Sequence, residues 1–250
     1  MGMNSGFVGA DQRQARNGIV GLDKTYLQHA TGEWVPLDIS GLDGAIGWYD
    51  ASDSGTLTLD GSNVNNWRSK AGTSEARVIN MSVIKPVLVD SSLKFASGYS
   101  TSPLLIEPIT NLRTIFCVVR HDTGTNNGYT QCLFGHNTGN SPFPSSGNTY
   151  MIGENSQSES LHVRTGKAYV NGAYLGSPLY LFKRTYYQVI CIEAAGDVTV
   201  SQIAGHGTNN NNTWNGNFQE IIFTTRIYSP VIRDKVTDYL LSKWNITPGQ

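Results

Sequence analysis

The chain has 250 residues, 27 of them glycine, with only 15% charged residues and a formal net charge of -1. That length fits one large all-β domain or two small ones, and it can bury a core without disulfides or metals. The near-neutral balance, with no Lys/Arg run, excludes an electrostatic case for nucleic acid, and no stretch is apolar for long enough to suggest a membrane span.

Residues 1–43 differ from the rest. "GFVGADQRQARNGIVGLDKTYLQHATGEW" is broken by glycines and lacks alternation, with a helical turn or two expected around Asp11 to Arg16 and Lys24 to His29. We read it as an arm whose order must come from contacts outside its own segment, through Phe7, Val8, Ile19, Val20, Leu22, Tyr26, Leu27 and Trp34. Its start, "MGMNSGFVGADQRQARNG", has no apolar core of a secretory signal, so a chain made in the cytoplasm is expected.

From Ala45 the sequence reads as strand after strand: "AIGWYD", "KPVLV", "LKFA", "RTIFCVVRH", "TQCLFGH", "TYMIGE", "SLHVRT", "KAYVNGAYLG", "YYQVICIEA", "DVTVSQIA" and "FQEIIFTTRIY", each bounded by Gly, Asn, Ser or Pro. Asn171-Gly172 supplies the two positive-φ residues of a type I′ hairpin turn. One helix closes the chain at 230–245. Ser229 can cap it, Pro230 suits its first position, and Ile232, Val236, Tyr239, Leu240 and Lys243 follow a 3–4 spacing, with Lys243 at the negative end of the dipole. Cys117, Cys132 and Cys191 are odd in number and lie among strand formers; buried free thiols are expected over a disulfide or metal site.

Three stretches carry a resemblance. "GWYDASDSGTLTLDGSNVNNWRSKAG", the hairpin "GKAYVNGAYLG" and the tail "FQEIIFTTRIYSPVIRDKVTDYLLSKWNI" resemble, in order, the opening, the hairpin and the terminal strand and helix of laminin-G-like, concanavalin A-type jelly-roll domains. The likeness spans roughly Gly44 to Ile246 and is specific at both ends, although Arg68 and Ala71 depart from the usual residues. It implies an all-β fold: a two-sheet antiparallel jelly-roll sandwich over 44–250 with one C-terminal helix, preceded by the arm. Such domains occur in bacteriophage virion proteins and in secreted proteins that handle polysaccharides. Fold follows from this more securely than function.

Glu220 is the residue on which an enzymatic reading would turn. Strand alternation puts Phe218, Glu220, Ile222 and Thr224 on one face and Gln219, Ile221 and Phe223 on the other, better core face. Glycosidases need two carboxyl groups flanking the scissile bond, and the jelly-roll glucanases set theirs out as E-x-D-x-x-E on one strand. Here Ile222 stands two residues after Glu220. The resembled domains also carry this glutamate without catalytic duty, so structural pairing is expected and no catalytic residue is assigned. The dispersed histidines His29, His121, His136, His162 and His206 offer no metal spacing. Asp50, Asp53, Asp60 and Asn63 fit Asx-turns better than a calcium loop. No metal or cofactor is expected.

Two polar loops are candidate glycan sites. "GHGTNNNNTWNGN" offers His206, Asn211, Asn212 and an exposed Trp214 for stacking, against the plainer reading that Trp214 tucks under the sandwich. "HDTGTNNGYTQ" offers Asn126, Asn127 and Tyr129. Trp48 and Trp67, in the framework stretches, are expected in the core. The leading expectation is a non-enzymatic virion component, head or tail, that oligomerises and joins other virion proteins through its arm, with host-surface glycan as a further partner. The alternative is a cellular module that binds or degrades polysaccharide.

Overall fold

The computed structural model describes residues 39–78, 84–96, 101–122, 132–136, 158–178, 184–205 and 213–247. The eight arm anchors fall outside these residues. So do Asn126, Asn127, Tyr129, His206, Asn211 and Asn212, and the "TYMIGE" stretch. A compact unit runs from Asp38 to Gln250, so it begins inside the segment expected to be arm. The reason is visible in its first turn. Ile39 is fully buried, the Asp43 carbonyl accepts a hydrogen bond from the Tyr228 hydroxyl at 2.7 Å, and the Asp43 carboxylate pairs with Arg226 at 2.9 Å.

The described chain is mostly β. In order, it forms β1 (Ala45–Asp50), β2 (Leu57–Asp60), β3 (Asn63–Arg68), β4 (Glu75–Val78), β5 (Val87–Val89), β6 (Ser92–Phe95), β7 (Leu104–His121), β8 (Phe134–Gly135), α1 (Ser158–Arg164), β9 (Lys167–Val170), β10 (Ala173–Gly176), β11 (Gln188–Ile203), β12 (Gly216–Thr224) and α2 (Pro230–Lys243). Every ladder between these strands is antiparallel. β12 has β7 along one edge, while its other edge takes β6 at its start and β1 over its second half. β7 in turn has β11 along one edge, and β4 then β12 along the other. These changes of partner close a ring of six strands, β12–β6–β5–β3–β4–β7, with β1 flanking β12 and β11, β9 and β10 continuing beyond β7.

Closure requires the long strands to bend, and the bends have identifiable causes. Between the pairs Leu105–Gln202 and Ile109–Val200, β7 sets Ile106, Glu107 and Pro108 against Ser201 alone. Extra residues on one strand break the ladder and bend it, and a bulge tolerates a proline because no N–H is needed there. Further along, β11 sets Ala194 to Asp197 against Arg113 alone. Gly196 lies in that bend because the His162 ring of α1 packs against it; a Cβ there would sit 2.5 Å from Nδ1. Thus "DVTVSQIA" and "YYQVICIEA" are one bent strand, not two.

The core inside the ring contains Tyr49, Trp67, Phe95, Phe134, Trp214, Phe218 and Phe223, with aliphatic residues of β7 and β11 between them. Tyr49 contacts Trp67 at 5.4 Å and Phe223 at 6.1 Å, while Phe134 meets Phe218 at 5.7 Å and Phe223 at 5.3 Å. Such tilted and edge-on pairs add to the burial of each ring.

Two local expectations hold. Asn171 (φ 49) and Gly172 (φ 86) turn the β9–β10 hairpin. Ser229 caps α2, its side chain accepting from the Ile232 N–H, with Pro230 opening the helix. One does not hold: "SLHVRT" lies in helix α1 and its C-terminal turn, not in a strand. Leu161 and Val163 would share a face on a strand, but in the helix they diverge, leaving Val163 fully buried and Leu161 exposed. Thr165 donates its N–H and its hydroxyl to the Leu161 carbonyl, and the Gly166 N–H reaches the Val163 carbonyl, which ends the helix.

Candidate functional site

Faces of β12 are decided by a bulge. Phe218 pairs with Val119 and Glu220 with Val118, so Gln219 is an extra residue. Simple alternation would put Phe218 opposite Ile221 and Phe223, yet all three point into the core. The bulge resets the phase and leaves Glu220 and Ile222 on the outer face, in register with Val118 and Phe116. The expectation that Phe218 and Glu220 share a face is corrected accordingly. Glu220 does face away from Ile221 and Phe223, as alternation expects, but it lies buried under the end of the helix and not on an open, more polar face.

Helix α2 lies over that outer face. Near its start the Arg233 guanidinium sits 3.9 Å over the Tyr169 ring on β9, and near its end Tyr239, Lys243 and the following Trp244 converge on Glu220. Val236, Leu240 and Leu241 are buried on the helix. Each full burial of this kind contributes about 1.5–3 kcal/mol.

Glu220 is 0% exposed and Asp50, its cross-strand neighbour on β1, 2%. One ammonium serves both: Lys243 Nζ lies 2.7 Å from Glu220 Oε2 and 2.7 Å from Asp50 Oδ2. Glu220 Oε1 accepts from Trp48 Nε1 at 2.7 Å and from the Tyr239 hydroxyl at 3.4 Å, and Oε2 accepts from Trp244 Nε1 at 2.6 Å. Asp50 Oδ1 accepts from the backbone N–H and hydroxyl of Ser52, and Oδ2 also meets Lys70 at 3.1 Å. Lys70 sits 4.2 Å over the Trp48 ring and 3.3 Å from Asp53. Every carboxylate oxygen of the pair is therefore engaged by cations, indoles or hydroxyls.

Electrostatics separate the two acids. Burial raises the Glu220 pKa, and Lys243 opposes that rise without cancelling it. Burial would raise Asp50 too, but hydrogen bonds from Lys243 and Ser52, with help from Lys70, outweigh it and hold its pKa below the usual value. Lys70 loses some basicity to burial and regains more from Asp50 and Asp53. Perturbed acids of this kind mark active sites and structural ion-pair networks alike. Here the carboxylate of Glu220 faces helix α2 and β1, not solvent.

The other sequence candidates sort as follows. Trp214 does not offer a face to a sugar; it is 0% exposed, with His121 at 5.2 Å edge-on and Phe218 at 6.4 Å. Its backbone N–H bonds to the Ala204 carbonyl, which turns it under the β-structure despite its polar neighbours. Trp48 and Trp67 are buried as expected, Trp48 on the outer face under α2 and Trp67 inside. The oxygens weighed for calcium are occupied differently. Asp53 caps a 3-10 turn at Ser54–Thr56 and pairs with Lys70, and Asp60 pairs with Lys85 at 3.6 Å. Among the described residues no three His, Cys, Asp or Glu side chains group around a metal position, and no helix is long and apolar enough to cross a membrane. All three cysteines are buried and free.

Sequence reasoning did not connect Asp50 with Glu220. Their pairing depends on the register between β1 and β12, two strands some 170 residues apart in the chain, and a sequence pattern does not register it. It also missed a polar row further along the same face. Asn217 on β12 is in register with Lys94 on β6 and Arg120 on β7, and Arg120 sits 5.0 Å over the Tyr187 ring beside β11. No protein-family model, curated protein or solved structure matches this chain. Its class is accordingly that of the fold alone, a mostly β domain closed by a helix over its outer face.

Proposed function

We propose that this protein is a non-enzymatic bacteriophage virion component, on head or tail, that displays a concanavalin A-type jelly-roll domain. In this reading residues 1–37 anchor the domain to neighbouring virion proteins or copies, and adhesion to host-surface glycan is its second role. The likeness to laminin-G-like domains supports the jelly-roll reading. Its opening falls on β1 to β3, its hairpin on β9–β10 and its tail on β12–α2.

The observation that carries the non-catalytic reading is the state of Glu220. An acid or nucleophile must present an oxygen to substrate. Both oxygens of Glu220 are instead occupied by the helix and strand that bury it. The cellular alternative is a module that binds or degrades polysaccharide, and its degrading form needs a carboxyl pair elsewhere.

Removal of residues 1–37, upstream of the buried Ile39, should leave a folded domain that no longer enters particles. Circular dichroism and particle incorporation measure the two halves of that statement. The full chain should release no reducing ends from β-glucans, agars or capsular polysaccharides. Release abolished by Glu220→Gln would refute the non-catalytic reading, and normal incorporation of the shortened chain would refute the anchor.

A further inference from the structure

The sheet ends at β10, and the register shows which backbone groups that strand leaves open. In the β9–β10 hairpin Val170 pairs with Ala173 across the two-residue turn, and Tyr169 pairs with Tyr174. The Asn171 N–H reaches the Val189 carbonyl, so odd-numbered residues of β9 turn their backbone groups towards β11 and even-numbered ones towards β10. Tyr169 therefore faces β11 with its N–H and carbonyl. Its partner Tyr174 turns the same two groups away from β9, to the outer edge. Among the described residues no strand pairs with that edge.

The edge lacks most of the features that keep such strands apart. Ala173, Tyr174, Leu175 and Gly176 include no charge and no proline, and the first three are exposed, Tyr174 at 62% and Leu175 at 41%. One protection remains. Tyr174 pairs with Tyr169 and Gly176 with Ala168, so Leu175 is an extra residue, and this bulge leaves an added strand only a short template. A fully buried aromatic side chain removes about 150–250 Å² from water, so Tyr174 has roughly 100–150 Å² left to bury. With Leu175 and the backbone edge, two copies meeting here cover on the order of 500 Å², below the range of a stable interface. A contact at this edge is weak in dilute solution and gains force where copies are already held close.

We propose that β10 is a contact between two copies of this chain, which pair their β10 strands antiparallel about a two-fold axis at Tyr174. Each Tyr174 gives its N–H to the other's carbonyl, so the two open groups of one copy are satisfied by the same two groups of the next. The Tyr174 ring already lies 5.3 Å from the Tyr169 ring. Pairing continues that row across the axis, through the partner's Tyr174 to the partner's Tyr169, and aromatic cross-strand pairs stabilise a sheet. No like charges meet on the paired strands. An unrelated extended peptide would satisfy the same backbone groups, and it is the self-complementary aromatic row that favours a second copy. The pairing uses up the edge, so it closes at two copies and does not propagate. It needs neither residues 1–37 nor the virion reading.

The test is disulfide trapping in the full chain. Closely spaced antiparallel partners have Cα atoms about 5.5 Å apart, within the roughly 4.4–6.8 Å that a disulfide spans. Tyr174→Cys should therefore form a cross-linked dimer under mild oxidation at least about ten times faster than Asp60→Cys, whose position at the tip of the β2–β3 hairpin is 70% exposed. Adding Leu175→Lys to Tyr174→Cys sets two like charges beside the axis and should slow the cross-link about tenfold. In the unsubstituted chain, sedimentation between about 10 µM and about 0.5 mM should show association that Tyr174→Lys removes, with little change in melting temperature because the ring is mostly exposed. Equal cross-linking rates at positions 174 and 60 would refute the contact. So would a rate indifferent to Leu175→Lys, or association that is absent from the unsubstituted chain or unchanged by Tyr174→Lys. Tyr174→Lys should still enter particles through residues 1–37, so failure of this contact and failure of the virion reading are separate results.

Discussion

Replacing Lys243 by methionine removes the ammonium shared by Asp50 and Glu220 and keeps most of the side chain's bulk. Asp50 retains Lys70 and Ser52. Glu220 retains only neutral donors from Trp48, Tyr239 and Trp244. Breaking a buried pair by removing one partner costs about 3–5 kcal/mol, because the remaining charge is uncompensated. With Asp50 still paired, the lower end applies, about 3 kcal/mol. For a domain of this size that is a fall in Tm of roughly 6–12 °C.

The pH dependence supplies the stricter test. Glu220 already has a raised pKa from burial, and loss of Lys243 raises it further. An acid whose folded pKa is raised gains stability as pH falls towards and below that value. The deficit of the variant should therefore shrink between about pH 8 and about pH 5. Asp50 does not mask the trend. Loss of Lys243, the first of the interactions that hold its pKa down against burial, shifts Asp50 upward as well, so its contribution to the deficit changes with pH in the same direction as that of Glu220. Urea unfolding at both pH values, followed by tryptophan fluorescence, measures the deficit. Lys243→Met combined with Glu220→Gln should be more stable than Lys243→Met alone, since the orphaned charge has gone. A deficit below about 1 kcal/mol, the scale of an exposed ion pair, would refute the account, as would one that is unchanged with pH.

Trp214→Ala should destabilise by about 3–5 kcal/mol, the range for a large aromatic side chain removed from a core, and the shift in denaturation midpoint measures it. A nearly unchanged midpoint would return Trp214 to the surface and reopen its role as a stacking residue. The three thiols should resist a water-soluble disulfide reagent in the native protein and react together on unfolding, since all are buried and burial pushes the Cys117 and Cys191 pKa values up. Reaction of one thiol under native conditions would show that its strand opens locally.

Sequence alone determined what local chemistry controls. Asn171-Gly172 can take up the positive φ of a tight hairpin turn, and Ser229-Pro230 can cap and open a helix, so both features were legible within a few residues. The β-rich character was legible for the same reason. The tertiary structure decided everything that depends on phase and cover. Strand alternation assumes an unbroken ladder, and one extra residue at Gln219 turned Phe218 inward to join Ile221 and Phe223. The polar sequence around Trp214 left a stacking residue and a ring tucked under the sandwich both open, and packing against His121 and Phe218 decided for the buried ring. Leu161 and Val163 fitted a strand equally well until the bend of β11 at Gly196 provided a seat for a short helix. Lys94, Arg120, Tyr187 and Asn217 have no relation along the chain. Only the register of adjacent strands, set by long-range pairing, brings them into one row.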